Sequence, residues 1–434
     1  MKKLFYIIPL LLFSFLLLIV TNPILFPSEI IQPLRELRDY QQEITRETSE
    51  NLGLQSNPQI LDDRFEVEMY VGGLHQPTQM TIIDDKILVI EKNTGHVKLI
   101  SNGILEEEPL LEFNVSTLYE SGLLGITSSN SLVYLYMTEI DPINSKLVRN
   151  NLYKYEWDGN SLINPSLLLT LENKASWHNG GGLVANQNDE IFLIIGDQIG
   201  ETDDEKLEYS ILQNSDNEIY DDSGVIIKIK SSDKEIRPSS YEDPLLYYYA
   251  IGIRNSFGLA IDPITQKIWD TENGPETFDE INLVDEKFNS GWNKVTGPSN
   301  IESINDLKLL QFFNYSEPEF SWERTVAPTG LFFLNSEIFG EINNNMVVGS
   351  CNTGELYIFK LDPSRNKLIF EDNLLKDNVV NLIENENSEK IPENYEEILF
   401  GNKFGCITDV ESNDNGLFIV SITENAIYRI FPKN

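Results

Sequence analysis

The sequence is poor in positive charge, in cysteine and in histidine. Its 434 residues hold 32 lysines and arginines against 69 aspartates and glutamates, a formal net charge of −37. That deficit excludes nucleic acid and anionic lipid as partners of the main body, because a polyanion would meet like charge and no basic residues to displace its counterions. A solvated acidic surface is the plain reading. Cys351 and Cys406 are the only cysteines, which excludes a disulfide-stapled framework and leaves material for one bridge if the chain is exported. Long amphipathic helices are also missing from Phe65 onward, which argues against a helical bundle. With three histidines in all, one set in a glycine-rich turn stands out.

One long apolar run is present. Leu4 to Val20 follows Lys2 and Lys3, the layout of a secretory signal or a membrane anchor. No small-x-small cleavage site follows, and extension through Phe26 gives a segment long enough to span a bilayer. The sequence therefore predicts an uncleaved anchor over residues 1–27 with its positive end in the cytoplasm; a cleaved signal would instead release the domain. Residues 28–64 are charged and amide-rich, with Leu34, Leu37 and Ile44 at helical spacing, and read as a juxtamembrane helix and linker. Asn114-Val115-Ser116 and Asn314-Tyr315-Ser316 match the glycosylation acceptor pattern of exposed loops.

Residues 65–434 read as one large all-β domain, since 41% hydrophobic and 10% aromatic content is enough for a substantial core. Short β-branched and aromatic runs alternate with Gly, Asn, Asp and Pro clusters. Six hairpin units recur: Ile87–Glu91 with Gly95–Ile100, Val133–Met137 with Leu152–Tyr155, Ile191–Ile195 with Gly224–Ile229, Lys267–Asp270 with Glu280–Val284, Met346–Gly349 with Glu355–Phe359, and Leu417–Val420 with Ala426–Ile430. This repetition predicts a six-bladed β-propeller, with a two-sheet sandwich as the alternative. In a propeller the loops at one end of the channel converge, so residues far apart in sequence share one pocket.

Two segments carry residues of chemical interest. Trp177-His178-Asn179-Gly180-Gly181-Gly182 is followed, nineteen positions after the histidine, by Asp197 at the end of an apolar strand. If the strands pair, the carboxylate reaches the imidazole, fixes its tautomer and stabilises its protonated form, which prepares a general base. A hydrogen-bonded loop histidine is the plain alternative. Arg254-Asn255 lies between two apolar runs, where a guanidinium either stabilises a developing anion or closes an inter-blade salt bridge. Asn273-Gly274-Pro275 offers side-chain and carbonyl oxygens of the kind calcium accepts. Asp279-Glu280 adds charge there or orients backbone groups.

Taken together, Gly72-Gly73-Leu74-His75-Gln76-Pro77, Gly122-Leu123-Leu124-Gly125-Ile126, the His178 to Asp197 segment, the Arg254 to Trp292 segment, Val326-Ala327-Pro328 and Ile427-Tyr428-Arg429-Ile430 resemble successive landmarks of the glucose/sorbosone dehydrogenase family. The resemblance covers residues 65–434. It implies a six-bladed propeller that holds pyrroloquinoline quinone and calcium and oxidises the anomeric carbon of aldoses, with an electron acceptor the sequence does not identify. By the same resemblance His178 is the base, Asp197 orients it, and Arg254 polarises the quinone carbonyl. Asn255 and Asn273 line the cofactor, and the carbonyls of Gly274 and Pro275 hold calcium.

The chain departs from the family where the quinone carboxylates are neutralised. A lysine position reads Asn352, and the two arginines of an Arg-x-Arg-Asp-Val segment read Cys406 and Thr408. Lys360, Arg324 and Lys403 are the candidates to compensate from nearby. A bridge between Cys351 and Cys406 would occupy part of that floor. Two functions follow as expectations: quinone-dependent sugar oxidation on the outer side of a membrane, or a propeller with a degenerate cofactor site that binds a glycan, a metal or a protein. A metal-dependent lactone hydrolase would need a cluster of acidic and amide ligands that the sequence does not offer.

Overall fold

The structure, a computed structural model, describes residues 57–199, 220–299, 304, 305, 307, 312–385 and 388–433. The apolar segment and most of the expected juxtamembrane helix lie outside these residues. Among the described residues, no helix is long and apolar enough to cross a membrane.

The fold is all-β and propeller-like. Six sheets of four to six strands and one two-stranded hairpin account for the strands. Each predicted hairpin lies in its own sheet. In chain order the sheets are entered through Pro77–Ile83, Leu123–Ser129, Leu183–Ala185, Ser256–Ile261, Pro328–Phe333 and Ile407–Asn413. These entry strands pack each against the next, and the last packs against the first, so they surround a central channel.

Strand periodicity explains why the sheets stack. In Glu190–Ile195 successive side chains face opposite ways. Ile191, Leu193 and Ile195 join a core with Leu124, Tyr134 and Tyr136 of the preceding sheet, whereas Phe192 and Ile194 join Leu259, Ile268 and Val284 of the following one. A sheet covered on both faces needs apolar residues at every position, which is why these strands read as continuous runs rather than alternating ones.

Phe65–Gly72 does not begin a new sheet. It pairs antiparallel with Ala426–Pro432 and forms the outer strand of the sheet that contains the C-terminal hairpin. The folded unit also starts earlier than the expected boundary at residue 65. Gln59–Ile60 pairs with Gly401 and Asn402, so this part of the expected linker belongs to a sheet edge; two residues are too few to show a strand period in sequence. Asn114 and Asn314 are both exposed.

Candidate active site

The functional end of the channel is the one at which the entry strands begin. A cavity of 420 Å³ opens there, lined among others by Lys92, Glu120, Trp177, His178, Arg254, Asn255, Asn273, Gly274, Pro275 and Asp279, and by Asn352, Cys406 and Thr408. Residues separated by more than 300 positions thus share one pocket, as the propeller reading requires.

The predicted base is assembled with its acid. His178 Nδ1 lies 2.6 Å from Asp197 Oδ1, and the carboxylate is 2% exposed, behind the ring rather than in the cavity wall. A carboxylate on Nδ1 selects the tautomer with its proton there and leaves Nε2 as the acceptor. The backbone needed for this is unusual. His178 has φ +51°, and its amide donates to Glu120 Oε2 at 2.5 Å. Gly180 follows with φ +75°, where a Cβ would stand 2.1 Å from the Ile194 carbonyl oxygen. Only glycine allows that approach. Gly196 is similarly constrained, since a Cβ would meet the carbonyl oxygens of His178 and Arg254 at 2.5 and 2.8 Å.

Arg254 lies in the same wall, but its bonds alter the expected metal site. Its Nη1 donates to the carbonyl oxygens of Asn273 at 2.8 Å and Gly274 at 3.0 Å. The Gly274 oxygen assigned to calcium therefore also accepts from a guanidinium, and Pro275, the other residue assigned to calcium, lines the cavity. Among the described residues no group of three or more His, Cys, Asp or Glu converges as a metal site. Asn255 and Asn273 line the cavity as expected, with the Asn273 Nδ2 donating to the Asn255 carbonyl at 3.0 Å. Their Oδ1 atoms are buried with no hydrogen-bond partner among the described residues. Asp279 orients backbone: its oxygens accept from Gly274 at 2.8 Å, Val326 at 2.6 Å and Ala327 at 2.7 Å.

Cys351 and Cys406 are disulfide-bonded, and both border the cavity beside Asn352 and Thr408. None of Arg324, Lys360 and Lys403 lines it. Two groups that sequence reasoning missed do. Lys92 donates to the Tyr119 carbonyl at 2.7 Å, and burial pushes its ammonium down to about 8. Glu120 is pushed up by burial. A carboxylate two positions before the Gly122 landmark was the available signal for Glu120; nothing local marked Lys92.

Buried acids dominate the surroundings. Burial raises Asp279 to about 6 and Glu319 to about 8, and moves Glu272 and Asp409 in the same direction. Each of these groups binds its proton more tightly in the folded chain than in the unfolded one, so stability falls wherever pH rises between the two values. Their contribution is complete below about pH 4, the ordinary carboxylate range, and is lost through pH 6 to 8. The melting temperature is expected to decline from pH 5 to pH 8 in a buffer series at constant ionic strength; a flat or rising profile would contradict these assignments.

Comparison with known proteins bears on the family and the fold. The model of the Glucose / Sorbosone dehydrogenase family matches residues 74–423. An uncharacterized protein of Synechocystis sp. is 25% identical over 324 residues, 69% of this chain and 76% of that protein. Aldose sugar dehydrogenase YliI of Escherichia coli is 25% identical over 190 residues, 43% of this chain and about half, 48%, of its own length. The PQQ-bound aldose sugar dehydrogenase of Streptomyces coelicolor shares the fold, with a TM-score of 0.57 at 18% identity over 86% of this chain and 100% of that one. From the match over residues 74–423, this chain belongs to the glucose/sorbosone dehydrogenase family.

Proposed function

We propose that the chain oxidises aldose sugars in this cavity, with His178 as the base. The observation that carries the reading is the His178–Asp197 pair at 2.6 Å beside Arg254 in one cavity wall. A sugar hydroxyl at Nε2 gives up its proton there, and the Asp197 carboxylate stabilises the imidazolium that results. With a quinone-class two-electron acceptor bound, the anomeric hydrogen would leave as hydride to it, and the sugar would become a lactone. Arg254, held by two backbone carbonyls, places positive charge where negative charge develops.

The cofactor implied by the family fits this cavity poorly. Pyrroloquinoline quinone carries three carboxylates, and among the described residues Lys92 and Arg254 are the only lysine or arginine in the wall, offset by Glu120 and Asp279. Neutral Asn352, Thr408 and the Cys351–Cys406 bridge stand where relatives place cations. The residues present do not match a trianion, and of the Gly274 and Pro275 carbonyls expected to hold calcium, the Gly274 oxygen accepts from Arg254.

The six sheets are read as the blades of a six-bladed propeller tethered by residues 1–27, with the domain outside the cytoplasm. The disulfide supports an oxidising compartment. Full-length protein should reduce an electron-accepting dye in the presence of aldoses and yield the lactone. No sugar-dependent reduction, with or without added quinone and calcium, would reject the enzyme. The neutral floor specifically favours a second reading, a non-catalytic glycan-binding propeller; calorimetric sugar binding without turnover would select it.

A further inference from the structure

The Gly291-Trp292 pair has no role in the reading above, yet the indole touches both halves of the site. Trp292 Nε1 donates to Asp197 Oδ2 at 2.8 Å from 95 residues away. Oδ1 of the same carboxylate takes His178 Nδ1 at 2.6 Å and the Ile199 amide at 3.0 Å. Both oxygens are committed, so the carboxylate cannot turn without losing a bond. The indole also lies under Arg254, whose guanidinium carbon is 5.4 Å from the ring centroid, within cation–π range.

The surrounding backbone holds the same triangle. The Asp197 amide donates to the Arg254 carbonyl at 2.8 Å, and the Trp292 amide to the Gly252 carbonyl at 3.1 Å. Glu272 joins the two loops, accepting the Arg254 amide at 2.6 Å through Oε1 and the Ser290 hydroxyl at 2.5 Å through Oε2.

From this geometry we infer that Trp292 is a positioning residue that couples the base to the cation. Its N–H fixes the angle of Asp197 and so the tautomer and direction of His178. Its ring face sets the position of the Arg254 guanidinium. The inference rests on the reading of His178 as the base, but its first test needs no turnover.

Full-length chain labelled with 15N at histidine has three imidazoles to assign, of which His75→Gln and His96→Gln identify two. His178 is expected as a single tautomer protonated at Nδ1. Trp292→Phe keeps a ring face and removes the N–H; the single-tautomer signal should be lost, and kcat should fall about ten- to a hundredfold with KM changed less than about twofold. A folded Trp292→Phe protein with the wild-type His178 signal would overturn the inference, as would equal losses in kcat and stability with that signal intact. Should this variant not fold, the indole N–H spectrum decides: Asp197→Asn must shift the Trp292 resonance, and a resonance that stays in place overturns the coupling. A wild-type chain that oxidises no sugar would sink the proposed activity and leave the tautomer measurement standing.

Discussion

Replacing His178 by alanine is expected to lower the rate of aldose oxidation by about 10²- to 10⁴-fold, the usual contribution of a positioned general base. Sugar affinity should change far less, because the imidazole acts on one hydroxyl proton while the rest of the cavity is untouched. Stability is a necessary control. His178 is 7% exposed, and its main chain, not its ring, makes the bond to Glu120, so the variant should fold. Asp197→Asn is the sharper companion. The amide occupies the same volume, yet it cannot stabilise an imidazolium and can present an N–H toward Nδ1, which favours the tautomer with Nε2 blocked. Steady-state dye reduction with circular dichroism on the same samples checks both; near-normal turnover in either variant would remove His178 from the chemistry.

Pyrroloquinoline quinone is expected to bind this chain far more weakly than a family member that keeps its cations. Three lost hydrogen bonds between charged groups, at about 1.5 to 3 kcal/mol each, amount to roughly 4.5 to 9 kcal/mol, or three to six orders of magnitude in affinity. Lys92 and Arg254 return part of this, against Glu120 and Asp279 in the same wall. Asn352→Lys with Thr408→Arg restores two cations and leaves the Cys351–Cys406 bridge intact. That double variant should tighten quinone binding by at least about a hundredfold if each contact recovers the lower figure. Calorimetric titration of both proteins, with and without calcium, measures the difference. Micromolar binding by the wild type would show that the cavity neutralises the trianion by another route.

The fold was legible because apolar runs buried on both faces are conspicuous, and six of them are separated by turn residues. The His178–Asp197 pair was legible for a local reason: the two lie at the open end of one hairpin, Leu183–Ala185 with Glu190–Ile195, close enough in sequence for their meeting to be inferred. What sequence did not show depends on distance or on backbone. Trp292 meets Asp197 across 95 residues, and no spacing rule relates them. Nor did sequence show that the Gly274 carbonyl, expected to hold calcium, accepts from Arg254, because residue types do not reveal which carbonyl oxygens are engaged. Lys92 reads as an ordinary strand-end lysine until the channel places it beside Glu120. Gln59 and Ile60 looked like linker because an edge of two residues has no pattern of its own.

The pairing of Phe65–Gly72 with Ala426–Pro432 joins strands more than 350 residues apart in the chain. During synthesis the early strand must wait, its hydrogen-bonding edge open, until Ala426–Pro432 has left the ribosome. Closure of so long a loop costs entropy that is recovered only once both strands are in register. The earlier sheets can form while translation proceeds, but the ring cannot seal, and deletion of Ala426–Pro432 would leave an unclosed arc with two sticky ends.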